Sequence, residues 1–137
     1  MTGIVIDQSS PQSLIIPNTL QLTVTISPSD ASNKTIIWSS SDTSRATVNT
    51  NGVVTARGTS NGTATITATT QDGGFTAQCT INVTFIPVTG VVIDQSSPQS
   101  LSIPNTLQLT ATISPPNASN KIVIWSSSDT SRATVNT

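Results

Sequence analysis

The chain has 137 residues, room for one ordinary domain or for a small domain plus a fragment of another. Five basic and six acidic residues leave a net charge of −1, and Lys34, Arg45, Arg57, Lys121 and Arg132 are scattered, so no cationic cluster exists to displace counterions from nucleic-acid phosphates. His, Tyr and Glu are absent, which removes the usual general acids and bases, and the longest apolar runs are far too short for a membrane-spanning helix.

In chain order, "MTGIVIDQSS" has neither a basic leader region nor a hydrophobic segment, and it is not expected to act as a secretory signal. "GIVID" reads as a short first strand and "SLIIP" as its continuation after a Pro-containing break. "TLQLTVTIS" alternates and is expected to form one long strand with Leu20, Leu22, Val24 and Ile26 on one face. A turn at "PSDASN" leads to "KTIIWSS", where Ile36 and Trp38 share a face. Asn51-Gly52 within "ATVNTNGVVTA" predicts a two-residue hairpin. "GTATITATT" is expected to point Ala64, Ile66 and Ala68 inward, and Asp72-Gly73-Gly74 to make the last hairpin. "FTAQCTINVTF" then alternates Phe75, Ala77, Cys79, Ile81, Val83 and Phe85 against polar residues.

About a third of the residues are Ser or Thr. Low charge, β-branched content and period-2 alternation favour hydroxyl-covered sheets over disorder. Some seven short strands around one central Trp, without any helical period, predict an all-β, immunoglobulin-like antiparallel sandwich.

Residues 2–50 recur at 89–137, with Trp38 and Trp125 setting an offset of 87. Only seven of the 49 aligned positions differ: Ile4/Val91, Ile15/Ser102, Val24/Ala111, Ser29/Pro116, Asp30/Asn117, Thr35/Ile122 and Ile36/Val123. The repeat predicts a complete domain at 3–86, a short linker at 87–89, and the N-terminal half of a second domain at 90–137. Segment 51–86 occurs once, so 3–50 and, through a permuted connection, 90–137 are rival partners for it. Val24 against Ala111 favours 3–50 by on the order of 1–2 kcal/mol. The unmatched half is expected to associate with neighbouring domains or chains, including self-association through 90–137.

The run "WSSSDTSRATVNTNGVVTARGTSNGTATITATTQDG", after "GIVIDQSS" and "LQLTVTISPSDASNKTIIW", resembles the bacterial immunoglobulin-like group 2 domains. The shared pattern is a Trp-Ser-Ser core strand, an Ala-Thr-Val strand, a Gly-Val-Val-Thr-Ala arm and a Gly-x-Ala-x-Ile strand. Pro17-Asn18 stands where a Gly turn is common in that family, which affects turn geometry. The resemblance implies adhesin-like, intimin-like or phage structural roles.

No side chain is assigned to catalysis, cofactor binding or metal binding, and ligand-binding residues stay unassigned. Cys79 lies between Ala77 and Ile81 in its strand, so burial outweighs a nucleophilic role. Oxygen ligands around Asp30, Asn33 and Asp42 are isolated, and Asp30 becomes Asn117 in the copy, which argues against calcium. Asn33, Asn61, Asn82 and Asn117 begin Asn-x-Ser/Thr triplets that arise by chance in such a composition. Trp38 is expected to lie sealed in the core, whereas Trp125 lacks its covering strands.

These readings predict a non-catalytic, cofactor-free structural or adhesive module of a bacterial cell surface, with a surface glycan or protein receptor as partner. The alternative is a virion decoration or tail-associated domain contacting host glycans. Neither reading includes nucleic acid or membrane insertion.

Overall fold

The computed structural model describes all residues, Met1–Thr137, and contains strands without helices. The chain divides into two compact units, Met1–Ile86 and Pro87–Thr137.

The first unit is a two-layer sandwich. One layer combines β1 (Gly3–Ile6), β3 (Thr19–Gln21), β4 (Val24–Ser27), β6 (Ala46–Val48) and β7 (Val53–Ala56). In it β1 pairs with β4, and β7 lies between β3 and β6, all antiparallel. The other layer runs β2 (Gln12–Ile15), β9 (Thr76–Thr84), β8 (Gly62–Thr70), β5 (Ile36–Ser40). Its β2–β9 pair is parallel and the rest antiparallel. The chain crosses between layers at residues 7–11, where the Asp7 amide donates to Thr23 O and Ser10 Oγ accepts the Thr80 amide.

The alternation expected for β8 and β9 is present. Ala64, Ile66 and Ala68 from one strand, and Cys79, Ile81 and Val83 from the other, are buried together. Leu22, Val54, Ala46 and Ala56 close the core from the opposite layer. Burying a branched side chain here is worth about 1.5–3 kcal/mol.

Three local expectations need correction. The run 19–27 keeps its inward alternation but is two strands, because at Leu22 and Thr23 it changes partners. The Leu22 amide donates to Gly52 O, while the Thr23 amide turns to Gln8 Oε1. The Asn51-Gly52 hairpin has a three-residue loop. The Gly52 amide donates to Asn49 O and the Asn49 amide to Val53 O, with Gly52 at φ +80°. Asn49 Oδ1 also accepts the Asn51 and Val53 amides, at 2.9 and 3.0 Å, so the side chain at the loop entrance selects the longer turn. Trp38 packs on the core but is only half-buried, because it lies on β5 at the end of the sheet order.

The second unit retains the turns and one strand pair and loses the other ladders. Its strands are β10 (Gly90–Ile93) and β11 (Ala111–Ser114), paired in the register of β1 with β4. The Asp94 contacts with Thr110 and Thr112 repeat those of Asp7 with Thr23 and Thr25. The Asp129–Ser131 turn likewise repeats Asp42–Ser44. The counterparts of β2, β3, β5 and β6 form no strands. In the first unit those strands depend on β7, β8 and β9 for their ladders, and 90–137 encodes no such strands.

Candidate functional site

The titratable groups build no reactive centre. Cys79 is buried opposite Ile66, and its Sγ lies 3.9 and 3.8 Å from Ser9 O and Thr80 O. Burial pushes its thiol above the ordinary range, against opposing hydrogen bonds from Ser10 and Gln12, so it is neutral at physiological pH.

The Asp side chains serve turns and crossovers. The hydroxyls of Thr25 and Thr23 hold the Asp7 carboxyl below its ordinary range, and the Ser44 hydroxyl and amide do the same for Asp42. Asp72 lies 4.0 Å from the Met1 amino group. No three carboxylate or thiol groups come together as metal ligands. Asn33 Oδ1 accepts the Thr35 amide within a turn, and Asn61 Oδ1 accepts the Phe85 amide at 2.8 Å, tying the start of β8 to the end of β9.

Two surfaces stand out once the reactive groups are accounted for. The outer side of the β8–β9 pair is a neutral hydroxyl and amide array, bordered on β5 by the exposed Ile37 opposite Thr69. Across β8 and β9, Thr63 pairs with Asn82, Thr65 with Thr80, Thr67 with Gln78 and Thr69 with Thr76. The Gln78 amide reaches Thr67 Oγ1 at 3.4 Å. These are the Thr positions that alternate with Ala64, Ile66 and Ala68, so the array is the obligate outer face of the strand that builds the core. It has donors and acceptors at cross-strand spacing and no ring on which a sugar would stack.

The second surface is the uncovered inner face of 90–137. Leu101, Ile103 and Leu107 are exposed around a concavity that Arg132–Asn136 borders on its other side. The half-buried Trp125 lies among neighbours Ile122 and Ile124 that are 81% and 88% exposed.

The sandwich topology, the inward small residues of β8 and β9, and the half-buried Trp beside a Gly turn together describe an immunoglobulin-like module. The family model for the bacterial Ig-like domain (group 2) matches residues 1–81 and again 87–137. The chain belongs to the bacterial Ig-like group 2 family. The second match covers the repeat of residues 2–50 at 89–137. A protein described as an "Ig-like virion protein", from Serratia phage KSP90, is 37% identical over 70 residues. That similarity covers 50% of this chain and 27% of the phage protein, so the chain corresponds to a minor part of its relative's length. As a group 2 Ig-like chain, it is a structural module.

Several positions that organise this module escape pattern reading. Thr70 is buried at the end of β8, donating to Asp72 O at 2.8 Å and accepting the Phe75 amide at 2.9 Å. Arg45 lies over Gly62 and donates to Ser60 O and Oγ at 2.9 and 2.6 Å. Only the Gly at 62, exempt from the alternation around it, hinted at the second arrangement.

Proposed function

We propose that this chain is a non-catalytic structural module of a virion, presenting a neutral hydroxyl-rich sheet face to polar groups on a host surface. The similarity to an Ig-like virion protein carries the reading. The chemistry of the β8–β9 face supports it. Thr63, Thr65, Thr67, Thr69, Thr80 and Gln78 offer many weak, uncharged hydrogen bonds. Such a face suits low-affinity contact repeated over many copies, where avidity supplies the strength. The low net charge is compatible with contact that depends little on salt.

The family match supports a second reading, a spacer or adhesive module on a bacterial cell surface. An antibody raised against residues 1–86 separates the two. Labelling of gradient-purified phage particles by electron microscopy is expected. Labelling of the producing cells' outer surface in the absence of phage would replace the virion reading with the cell-surface one. Binding of the chain, displayed in many copies, to host cells or to a glycan array tests the contact itself.

A further inference from the structure

Arg45 and Arg57 are far apart in the sequence, yet the fold sets them side by side. The ladder that pairs Ala46 with Ala56 continues one step further, where the Arg57 amide donates to Arg45 O at 2.7 Å. Residues paired directly in an antiparallel ladder have Cα atoms about 5.5 Å apart and side chains on the same face. Like charges in that position repel one another. They are two of the three basic residues in the first unit, so abundance does not explain the pairing.

Neither guanidinium forms an ion pair. Asp42 feels the charge of Arg45, but its carboxylate already accepts the Ser44 amide and hydroxyl at 2.9 and 2.6 Å. Arg45 itself is held in place. Its Nη1 donates to Ser60 O and Oγ, and its stem lies over Gly62, where a Cβ would come within 2.7 Å of Nε. At Gly58, φ +102°, the chain turns against Ser44 O, and a Cβ there would lie 3.6 Å from Nη1. Arg45 Nη2 and the exposed Arg57 head make no hydrogen bond, and the exposed Thr59 lies in the same loop.

We propose that Arg45 and Arg57, with the Thr59 hydroxyl, bind a phosphate-type oxyanion. A planar guanidinium matches two oxygens of such a group at once. Because Ser60 already orders Arg45, that side chain loses little further freedom on binding. Two charges are too few to hold a nucleic-acid backbone. They suit one phosphate group, free or borne by a surface polymer. The site uses no residue of the β8–β9 hydroxyl face, and it stands whether the chain belongs to a virion or to a cell surface.

The test is an NMR titration of the ¹⁵N-labelled full chain with sodium phosphate, against sodium chloride at matched ionic strength and neutral pH. Saturable shifts are expected at Arg45 and Arg57 Nε and at the amides of 57–60, half-complete at roughly millimolar phosphate, with none at Arg132. Arg57→Gln, at an exposed position, should weaken binding at least about fivefold. Asp42→Asn keeps the oxygen that accepts from Ser44 but removes a competing charge, and should tighten binding about twofold. Shifts that fail to saturate, that chloride reproduces, that Arg132 shares, or that survive Arg57→Gln undiminished would each overturn the proposal. Dextran phosphate and plain dextran separate the two sources of the group. Binding of the phosphorylated polymer at a lower phosphate concentration than the free ion assigns the site to polymer-borne phosphate, and equal concentrations assign it to the free ion. An equal response to plain dextran would also overturn the proposal.

Discussion

Trp38 covers Gly52 so closely that a methyl group has no place between them. A Cβ at Gly52 would lie 2.9 Å from Trp38 Cζ2 and 2.7 Å from Leu22 O. The glycine has φ +80°, so its conformation and its contact both exclude other residues. Trp38 therefore packs on a backbone turn of the opposite layer as well as on core side chains. Gly52→Ala should destabilise the first unit by about 2 kcal/mol or more, through left-handed strain plus displacement of the indole. Urea denaturation followed by tryptophan fluorescence measures this in a Trp125→Phe background.

Identical side chains in the two copies should have unequal energetic value. Ile16→Ala should cost about 2–5 kcal/mol of first-unit stability, as for other buried aliphatic truncations. Ile103→Ala should change stability by less than about 0.5 kcal/mol, because the side chain touches almost nothing. Equal effects in thermal unfolding would contradict the unequal burial of the repeats.

Thr70→Val should destabilise the first unit by about 1–3 kcal/mol. The substitution keeps the shape but leaves the Phe75 amide without its hydroxyl acceptor in a partly buried turn. Circular dichroism melts of the variant and the parent chain provide the comparison.

The carboxyl groups of Asp7 and Asp94 should titrate below the ordinary aspartate range, since each accepts two threonine hydroxyls. A carboxyl whose folded pKa is lowered contributes stability above its unfolded pKa of about 3.9 and loses it as pH falls through the folded value. Acid should therefore loosen the crossover at residues 7–11 only below about pH 4. Carbon-detected NMR titration should give similar midpoints for both residues, and Thr25→Val should raise that of Asp7 alone.

Much of the fold was legible because β8 and β9 encode it twice over, in alternation and in small inward residues, Ala64 opposite Ile81 and Ala68 opposite Ala77. What stayed hidden depended on side chains that bind backbone across space. Asn49 lengthens the hairpin by capping two amides, an effect Asn51-Gly52 alone cannot reveal. Gln8 captures the Thr23 amide and so splits a run whose alternation reads as continuous. Trp38 looked central in sequence, yet β5 is the last strand in its sheet, and strand order is not written in periodicity. The hydroxyl face was visible as composition but not as a site, since threonine on an outer strand face is also what solvent requires.

The central claim is that 51–86 seals the first repeat and leaves the second open. Amide hydrogen exchange on the intact chain, resolved by residue, tests it most directly. Ile66, Cys79 and Ile81 should exchange only on global unfolding of the first unit, while 99–108 and 122–126 exchange within seconds to minutes. Protection of 99–108 comparable to that of 12–21, or rapid exchange in both stretches, would contradict the account.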